Sequence, residues 1–241
     1  MIPLIVTATT PHGIALARPW GPPLDALLAS VLWDRTKWAA RAAGTHMTYQ
    51  PDDEPETLDL PLARCGRGDT WHWMATCADL HGPTDDTDIR WRTATTDRDR
   101  MHQLTCPTGN VIRERSGRYQ RRRIPVMVHC ATTVTWRAVG DPDRIYALLT
   151  ELSAIGKHRG VGEGRVSNWS VAAAPELPRW DAGHLHEPGV LGRAAPLRCL
   201  KHSPGITTGP IGTTSIRPPY QNRSSLVTAG TPAPLTMKTE P

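Results

Sequence analysis

The sequence has no apolar run long enough to span a membrane, and its first apolar stretch is too short for a signal peptide. Its five cysteines are scattered and include no Cys-x-x-Cys pair, which argues against both a disulfide framework and a zinc ribbon. Lysine is also scarce, with four among the 28 basic residues. These absences predict a cytoplasmic protein with reduced thiols, no membrane contact, no metal and no cofactor.

Arginine is abundant instead and supplies most of the positive charge behind a formal net charge of +5. Guanidinium groups bind phosphate through paired hydrogen bonds and stack on bases, so an arginine-rich surface favours a nucleic acid as partner. Genomic base composition is the alternative explanation, because it raises the arginine content without any ligand. With 241 residues, 39% of them hydrophobic, the chain can form one large domain or two small ones.

Hydrophobic periodicity divides the chain into strands and helices. Residues 3–8 and 124–138 are rich in β-branched side chains, which predicts strands. Residues 23–42 carry apolar side chains at the i, i+3, i+4 spacing of a helix. A second helix is predicted after Asp141, its cap, with Pro142 at the first helical position. A glycine-rich loop and a further strand follow that helix.

The pattern of the whole chain predicts an α+β fold in two parts. Residues 1–174 form the first domain, which is interrupted by a long basic insertion at about 50–125. Residues 175–241 are rich in proline and glycine, and we predict an extended C-terminal region whose tail after about residue 225 is disordered.

The glycine-rich segment Gly-Lys-His-Arg-Gly-Val-Gly-Glu-Gly-Arg at 156–165 interleaves four glycines with basic side chains. Such a loop can adopt positive φ angles and present amides and cations to an anion. Glycine-rich loops that bind ATP or dinucleotides are followed directly by a helix, whereas this loop is followed by a strand. Its position therefore favours a loop that follows a nucleic-acid backbone. The alternative is a flexible turn with solvated charges. The predicted RNA-binding residues are Gly156, Lys157, His158, Arg159, Gly160, Gly162, Gly164 and Arg165.

A second basic surface is predicted where arginines crowd around Gly117. Cations that contact phosphates, together with an aromatic ring that stacks on bases, suit a single RNA strand. The alternative is an exposed edge strand whose charges prevent aggregation. The predicted RNA-binding residues are Arg115, Arg118, Tyr119, Arg121, Arg122 and Arg123, with Arg113 beside them.

Three histidines are candidates for metal-free RNA cleavage, which needs a general acid or base. They are His12, His72 and His158. The simpler explanations are a solvated turn for His12, packing between tryptophans for His72 and a phosphate contact for His158. Spacing alone defines no set of histidine, lysine and tyrosine, so no catalytic residue is assigned.

The segment Leu-Leu-Thr-Glu-Leu-Ser-Ala-Ile-Gly-Lys-His-Arg-Gly-Val-Gly-Glu-Gly-Arg-Val-Ser-Asn-Trp at 148–169 resembles the terminal glycine-rich loop of the RAMP superfamily of CRISPR-associated proteins. Other motifs agree in order and spacing: Gly-Pro-Pro-Leu-Asp-Ala-Leu-Leu-Ala at 21–29, Ser-Gly-Arg-Tyr-Gln-Arg-Arg-Arg-Ile-Pro at 116–125, Trp-Arg-Ala-Val-Gly-Asp-Pro at 136–142 and Arg-Pro-Pro-Tyr at 217–220. Together, over roughly residues 1–220, they resemble the Cas-five-like subunit of type IV CRISPR effector complexes.

This resemblance implies a ferredoxin-like, RRM-like βαββαβ core of the RAMP type that carries the basic insertion and the C-terminal extension. It implies a non-catalytic subunit that binds and caps the 5′ handle of the CRISPR RNA. The implied partners are the backbone subunits and the large or small subunits, with target nucleic acid met only indirectly. One alternative is a RAMP endoribonuclease that matures the CRISPR RNA, and another is a cytoplasmic interaction protein with an incidental basic surface.

Overall fold

The computed structural model describes residues 1–45, 47–48, 50, 52–53, 56, 58–83, 86–94, 97–104, 115–116, 120–201, 203–234 and 238–239. The α-helices in this part are α1 (Leu24–Ala42), α2 (Arg98–Leu104), α3 (Pro142–Leu149), α4 (Arg179–His184) and α5 (Leu197–Leu200). The strands are β1 (Ile2–Thr9), β2 (Arg64–Cys65), β3 (His72–Trp73), β4 (Asp79–Gly82), β5 (Thr87–Ala94), β6 (Arg122–His129), β7 (Thr133–Gly140), β8 (Asn168–Ala173), β9 (Leu185–Glu187), β10 (Val190–Leu191), β11 (Ala195–Pro196), β12 (Ile211–Ser215), β13 (Leu226–Gly230) and β14 (Lys238–Thr239). None of the helices described is long and apolar enough to cross a membrane.

The largest sheet has the strand order β14-β4-β7-β1-β8. Strand β1 lies between β7 and β8 and is antiparallel to both, while β14 joins β4 in parallel. Alternate side chains of β1, Leu4, Val6 and Ala8, are completely buried, as expected for a strand with one face on a core. The mixed α+β class predicted from the sequence is therefore confirmed, with sheets that are mainly antiparallel.

Helices cover both faces of this sheet. Apolar side chains of α1 and α3, including Leu28 and Ile145, share one cluster with Leu4 and Val6 of β1. On the other face, α4 packs on β7, where Ala182 contacts the cluster that contains Val139. The sheet is thus buried on both sides at its centre.

Local sequence signals account for the two core helices. The predicted helix at 23–42 is confirmed as α1, and the proline pair that precedes it ends an extended segment. Asp141 caps α3 by accepting a hydrogen bond from the backbone N–H of Arg144 at 3.1 Å, and Pro142 is the first helical residue. Helix α3 ends at Leu149 with Thr150 as its C-cap, before the glycine-rich segment begins.

The segment at 124–138, for which the sequence predicts one long strand or a pair, forms a pair of strands that belong to different sheets. Strand β7 enters the main sheet, whereas β6 forms a separate antiparallel hairpin with β5. Residues 87–94, within the predicted insertion, therefore form a regular strand. We refer to β5 and β6 together as the basic hairpin.

The C-terminal region contains helices α4 and α5 and two small sheets, one of β9 and β10 and one of β11, β13 and β12. Residues 226–230, in the predicted tail, pair with Ile211–Ser215. Arg193 connects this region to the rest of the molecule, since its guanidinium donates hydrogen bonds to the carbonyls of Trp73 and Ala75.

Candidate nucleic-acid interface

The glycine loop, residues 156–165, is held in place by backbone hydrogen bonds at both of its ends. The N–H of Lys157 donates to the carbonyl of Ala15 at 2.7 Å, and the N–H of Gly164 donates to Gly13 at 3.2 Å. The carbonyl of Gly164 accepts from the N–H of Ile155 at 2.8 Å. The loop is therefore fixed against the segment that joins β1 to α1.

Three of the predicted glycines, Gly156, Gly162 and Gly164, adopt positive φ angles, and two of them also lie against neighbouring backbone. Gly156 has φ +80°, and a Cβ there would lie 2.5 Å from the carbonyl oxygen of Ala15. Gly164 has φ +65°, and a Cβ there would overlap the carbonyl oxygen of Ile155. Gly160, in contrast, has open space around it. The glycines thus allow close backbone approach at the ends of the loop and leave its tip open.

A buried carboxylate joins the glycine loop to the basic hairpin. Glu163 is completely buried, and its carboxylate accepts hydrogen bonds from Arg92 and, at 2.6 Å, from Arg90 on β5. Two guanidinium groups compensate the charge of the buried carboxylate, which would otherwise be costly to remove from water. This contact has no local sequence signal, because the arginines lie about 70 residues upstream of Glu163.

The predicted cations of the glycine loop point away from the protein. Lys157, Arg159 and Arg165 are exposed, and His158 is half-buried in the left-handed conformation with φ 60°. Within the described part of the chain, no carboxylate lies within ion-pair distance of the three exposed cations. They are available to an external anion.

The predicted arginine cluster is only partly within the described residues, since Arg113, Arg118 and Tyr119 lie outside them. The four remaining arginines are exposed: Arg115, Arg121, Arg122 and Arg123. Cross-strand partners share a face of a sheet, so Arg122, opposite Ala94, lies on the face that holds Glu163. Arg123 lies on the other face, with its guanidinium 4.7 Å from the ring centre of Trp91. The hairpin therefore divides the cluster between two surfaces.

A cleft of about 680 Å³ opens beside the glycine loop. Its walls come from the β1–α1 connection, helix α1 and residues 218–221. The cations at the cleft are Arg18, Lys157 and Arg159, the aromatic residues are Trp20, Trp33 and Tyr220, and Glu56 is the single acidic residue among the described lining residues. Apolar walls with aromatic rings and a cationic edge suit a stacked base with its phosphates.

The wall formed by Tyr220 rests on a buried ion pair. The Tyr220 hydroxyl donates to both carboxylate oxygens of Asp25, at 2.9 and 3.0 Å. Arg193 Nη2 lies 3.8 Å from Asp25 Oδ2, and both side chains are almost completely buried. Burial raises the pKa of Asp25 to about 6, although Arg193 and the Tyr220 hydroxyl act in the opposite direction. This network fixes the C-terminal region against α1 beside the cleft.

The three histidines considered for catalysis occupy different environments. His12 is exposed in the turn after β1, and His158 lies in the glycine loop. His72 is buried, with Nε2 2.9 Å from Nε2 of His184. No histidine, lysine and tyrosine side chains are in mutual contact among the described residues.

Comparison with known proteins gives one family. The family model described as CRISPR type IV associated protein Csf3 matches residues 3–232. No curated protein matches the chain. The match confirms the type IV CRISPR resemblance that the ordered sequence motifs indicate.

Proposed function

Because the chain belongs to the Csf3 family of type IV CRISPR-associated proteins, which is Cas5-like, we propose that it is a non-catalytic subunit of a type IV effector complex that binds the CRISPR RNA. In this role it caps the 5′ handle of the guide RNA and nucleates assembly with the backbone subunits. The observation that carries the proposal is the cleft beside the glycine loop, where three cations meet three aromatic rings.

The chemistry of the cleft favours a single strand of RNA over a duplex. Single strands are bound by cations that follow the phosphates and by aromatic side chains that stack on unpaired bases. Lys157, Arg159, Trp20 and Trp33 all line the cleft. A base stacked on a tryptophan would place its own phosphate near the loop cations.

The topology of the main sheet supports a ferredoxin-like core. The core elements β1, α1, β4, β7, α3 and β8 follow one another along the chain in the βαββαβ order, with other elements between some of them. In the sheet, the order β4-β7-β1-β8 places the first of these four core strands between the third and the fourth. In RRM proteins the open face of such a sheet binds RNA. Here α4 covers part of that face, so we place the RNA at the cleft and glycine loop instead.

The first experiment compares RNA binding by the wild type and by Lys157→Ala/Arg159→Ala/Arg165→Ala over a series of salt concentrations. We expect the affinity for a guide RNA to fall on the order of 10- to 100-fold at low salt. We also expect the plot of log affinity against log salt to become shallower by about 2, since three phosphate contacts are lost from a single strand. Fluorescence anisotropy with a labelled guide RNA measures both quantities.

The matched control is Arg41→Ala/Arg179→Ala/Lys201→Ala, which removes the same charges from exposed positions outside the cleft. It should retain most of the affinity. Equal losses of RNA affinity in the two triple variants would show that net charge alone governs binding.

RNA recovered intact after incubation of the wild type without added metal supports the non-catalytic role, whereas one defined cleavage product would support the endoribonuclease alternative.

Stacking in the cleft is tested by Trp33→Ala. Loss of one base–aromatic contact is expected to weaken guide RNA binding by about 1–3 kcal/mol and to leave the salt slope unchanged, because no cation is removed. Trp38→Ala is the control, since Trp38 lies on the same helix, is 66% exposed and is outside the cleft. If both variants bind RNA equally well, the bases do not stack on this wall.

A further inference from the structure

Four potential metal ligands converge at a second place in the molecule, away from the lining of the cleft. They are Cys65 of β2, His72 of β3, His184 at the end of α4 and Cys199 of α5. One ligand atom from each residue lies within 4.8 Å of all the others. Cys65 and His72 are opposite each other in the β2–β3 pair, and the other two come from the C-terminal region.

The distances between these atoms approach the edges of a coordination tetrahedron. The two Sγ atoms are 3.7 Å apart, Cys199 Sγ is 3.5 Å from His184 Nε2, and the two Nε2 atoms are 2.9 Å apart. Tetrahedral zinc with its usual bond lengths has edges of about 3.8 Å between sulfurs, about 3.6 Å between sulfur and nitrogen, and about 3.3 Å between nitrogens. Three of the six edges therefore lie within about 0.4 Å of the tetrahedral values, and the other three are no longer than 4.8 Å.

The outer nitrogens of both histidines are oriented as in metal sites. His72 Nδ1 lies 3.2 Å from the carbonyl oxygen of Thr70, and His184 Nδ1 lies 2.8 Å from that of Trp180. If both Nδ1 atoms donate to these carbonyls, both Nε2 atoms carry lone pairs that face each other. A cation between them removes this repulsion, and a backbone carbonyl on the other nitrogen is the usual support of a metal-binding histidine.

We propose that Cys65, His72, His184 and Cys199 bind one structural Zn²⁺ ion. Two thiolates and two neutral imidazoles form a tetrahedral S₂N₂ set, which favours zinc among the divalent metals, and the two thiolates balance the charge of the ion. His72 and His184 are almost completely buried and Cys199 is 9% exposed, so the four protein ligands close the site. A disulfide between Cys65 and Cys199 explains the cluster less well, because bonded sulfur atoms are about 2.05 Å apart. The two Sγ atoms here are 3.7 Å apart.

The ion would join two regions that are distant in the sequence. Cys65 and Cys199 are 134 residues apart, and the C-terminal ligands flank Arg193, which contacts the same β2–β3 region through the carbonyl of Trp73. Zinc would therefore fix the C-terminal region to the β2–β3 pair independently of any RNA. The inference does not depend on the proposed RNA-binding function.

Metal analysis of the purified full-length protein tests the proposal. After dialysis against a chelating resin, we expect about one zinc ion per chain by inductively coupled plasma mass spectrometry. Cys65→Ser/Cys199→Ser should contain almost none, whereas Cys77→Ser/Cys130→Ser, which changes two cysteines outside the cluster, should keep it. A wild type without zinc after refolding with the ion, or a cluster variant that retains it, would overturn the proposal.

Two further measurements keep the test valid if the double cysteine variant fails to fold. His72→Cys preserves a four-ligand set and is expected to retain zinc, whereas His72→Ala should lose it. Replacement of zinc by Co²⁺ in the wild type is expected to produce the intense visible bands of a tetrahedral site and a thiolate-to-cobalt charge-transfer band. Pale octahedral cobalt bands without charge transfer would contradict the assigned ligands.

Discussion

Arg193→Met is expected to lower the free energy of unfolding by about 3–5 kcal/mol, since removal of one partner leaves the Asp25 carboxylate buried without its cation. The guanidinium is 2% exposed and also donates hydrogen bonds to the carbonyls of Trp73, Ala75 and Ile216. Methionine fills much of the same volume, so the loss reports on polar contacts more than on a cavity. Chemical denaturation at pH 8 measures it.

The pH dependence of the loss separates the ion pair from the other hydrogen bonds. The pKa of Asp25 is raised to about 6 in the folded protein, against 3.8 ordinarily, so its ionisation costs stability as the pH rises from about 4 to about 6. Arg193 lowers the pKa of this carboxyl, and without it the pKa rises further. The difference between wild type and Arg193→Met should therefore be smaller at pH 5 than at pH 8.

Two control variants complete this test. Arg223→Met removes an exposed arginine paired with Asp52 and is expected to change stability by no more than about 0.5 kcal/mol. Asp25→Asn/Arg193→Met should be more stable at pH 8 than Arg193→Met alone, because it contains no unpaired buried charge. If Arg193→Met is equally destabilised at pH 5 and pH 8, the carbonyl contacts and not the ion pair stabilise this part of the protein.

Gly164→Ala is expected to cost about 2–4 kcal/mol of stability and to weaken guide RNA binding. A left-handed backbone is unfavourable for alanine by about 1–2 kcal/mol, and the added Cβ would overlap the carbonyl oxygen of Ile155. The backbone bonds from Ile155 to Gly164 and from Gly164 to Gly13 would have to lengthen. Thermal unfolding and the anisotropy assay measure the two effects.

Gly160→Ala is the matched control in the same loop. Its Cβ would meet no atom within 4 Å, and its φ angle lies outside the positive region. We expect its stability to remain within about 0.5 kcal/mol of the wild type, with RNA affinity little changed. A large loss from Gly160→Ala would indicate that alanine is poorly tolerated throughout the loop, whatever its contacts.

Local signals predicted part of the fold and part of the candidate site. The spacing of apolar residues predicted α1, and the Asp141-Pro142 pair predicted the start of α3, because helix periodicity and capping depend on neighbouring residues. The glycine loop was predicted from its composition in the same way. Its cations are exposed, and three of its glycines have the positive φ angles that favour glycine.

Other features of the site have no local signal. No role was predicted for Glu163, yet it is the buried partner of two arginines from β5. Trp20 and Trp33 carry no motif that distinguishes a cleft wall from a core position. Their roles depend on which segments the sheet brings together.

The sequence by itself determined the family, the basic character and the position of the glycine loop, because these depend on residue identity and short-range order. The tertiary structure decided where the cleft lies, which arginines compensate Glu163, and that Cys65, His72, His184 and Cys199 meet. Cys65 and Cys199 are 134 residues apart, and the four ligand atoms of the cluster come from side chains of four different elements. Burial and strand pairing bring these atoms together, and contacts over such separations leave no spacing pattern in the sequence.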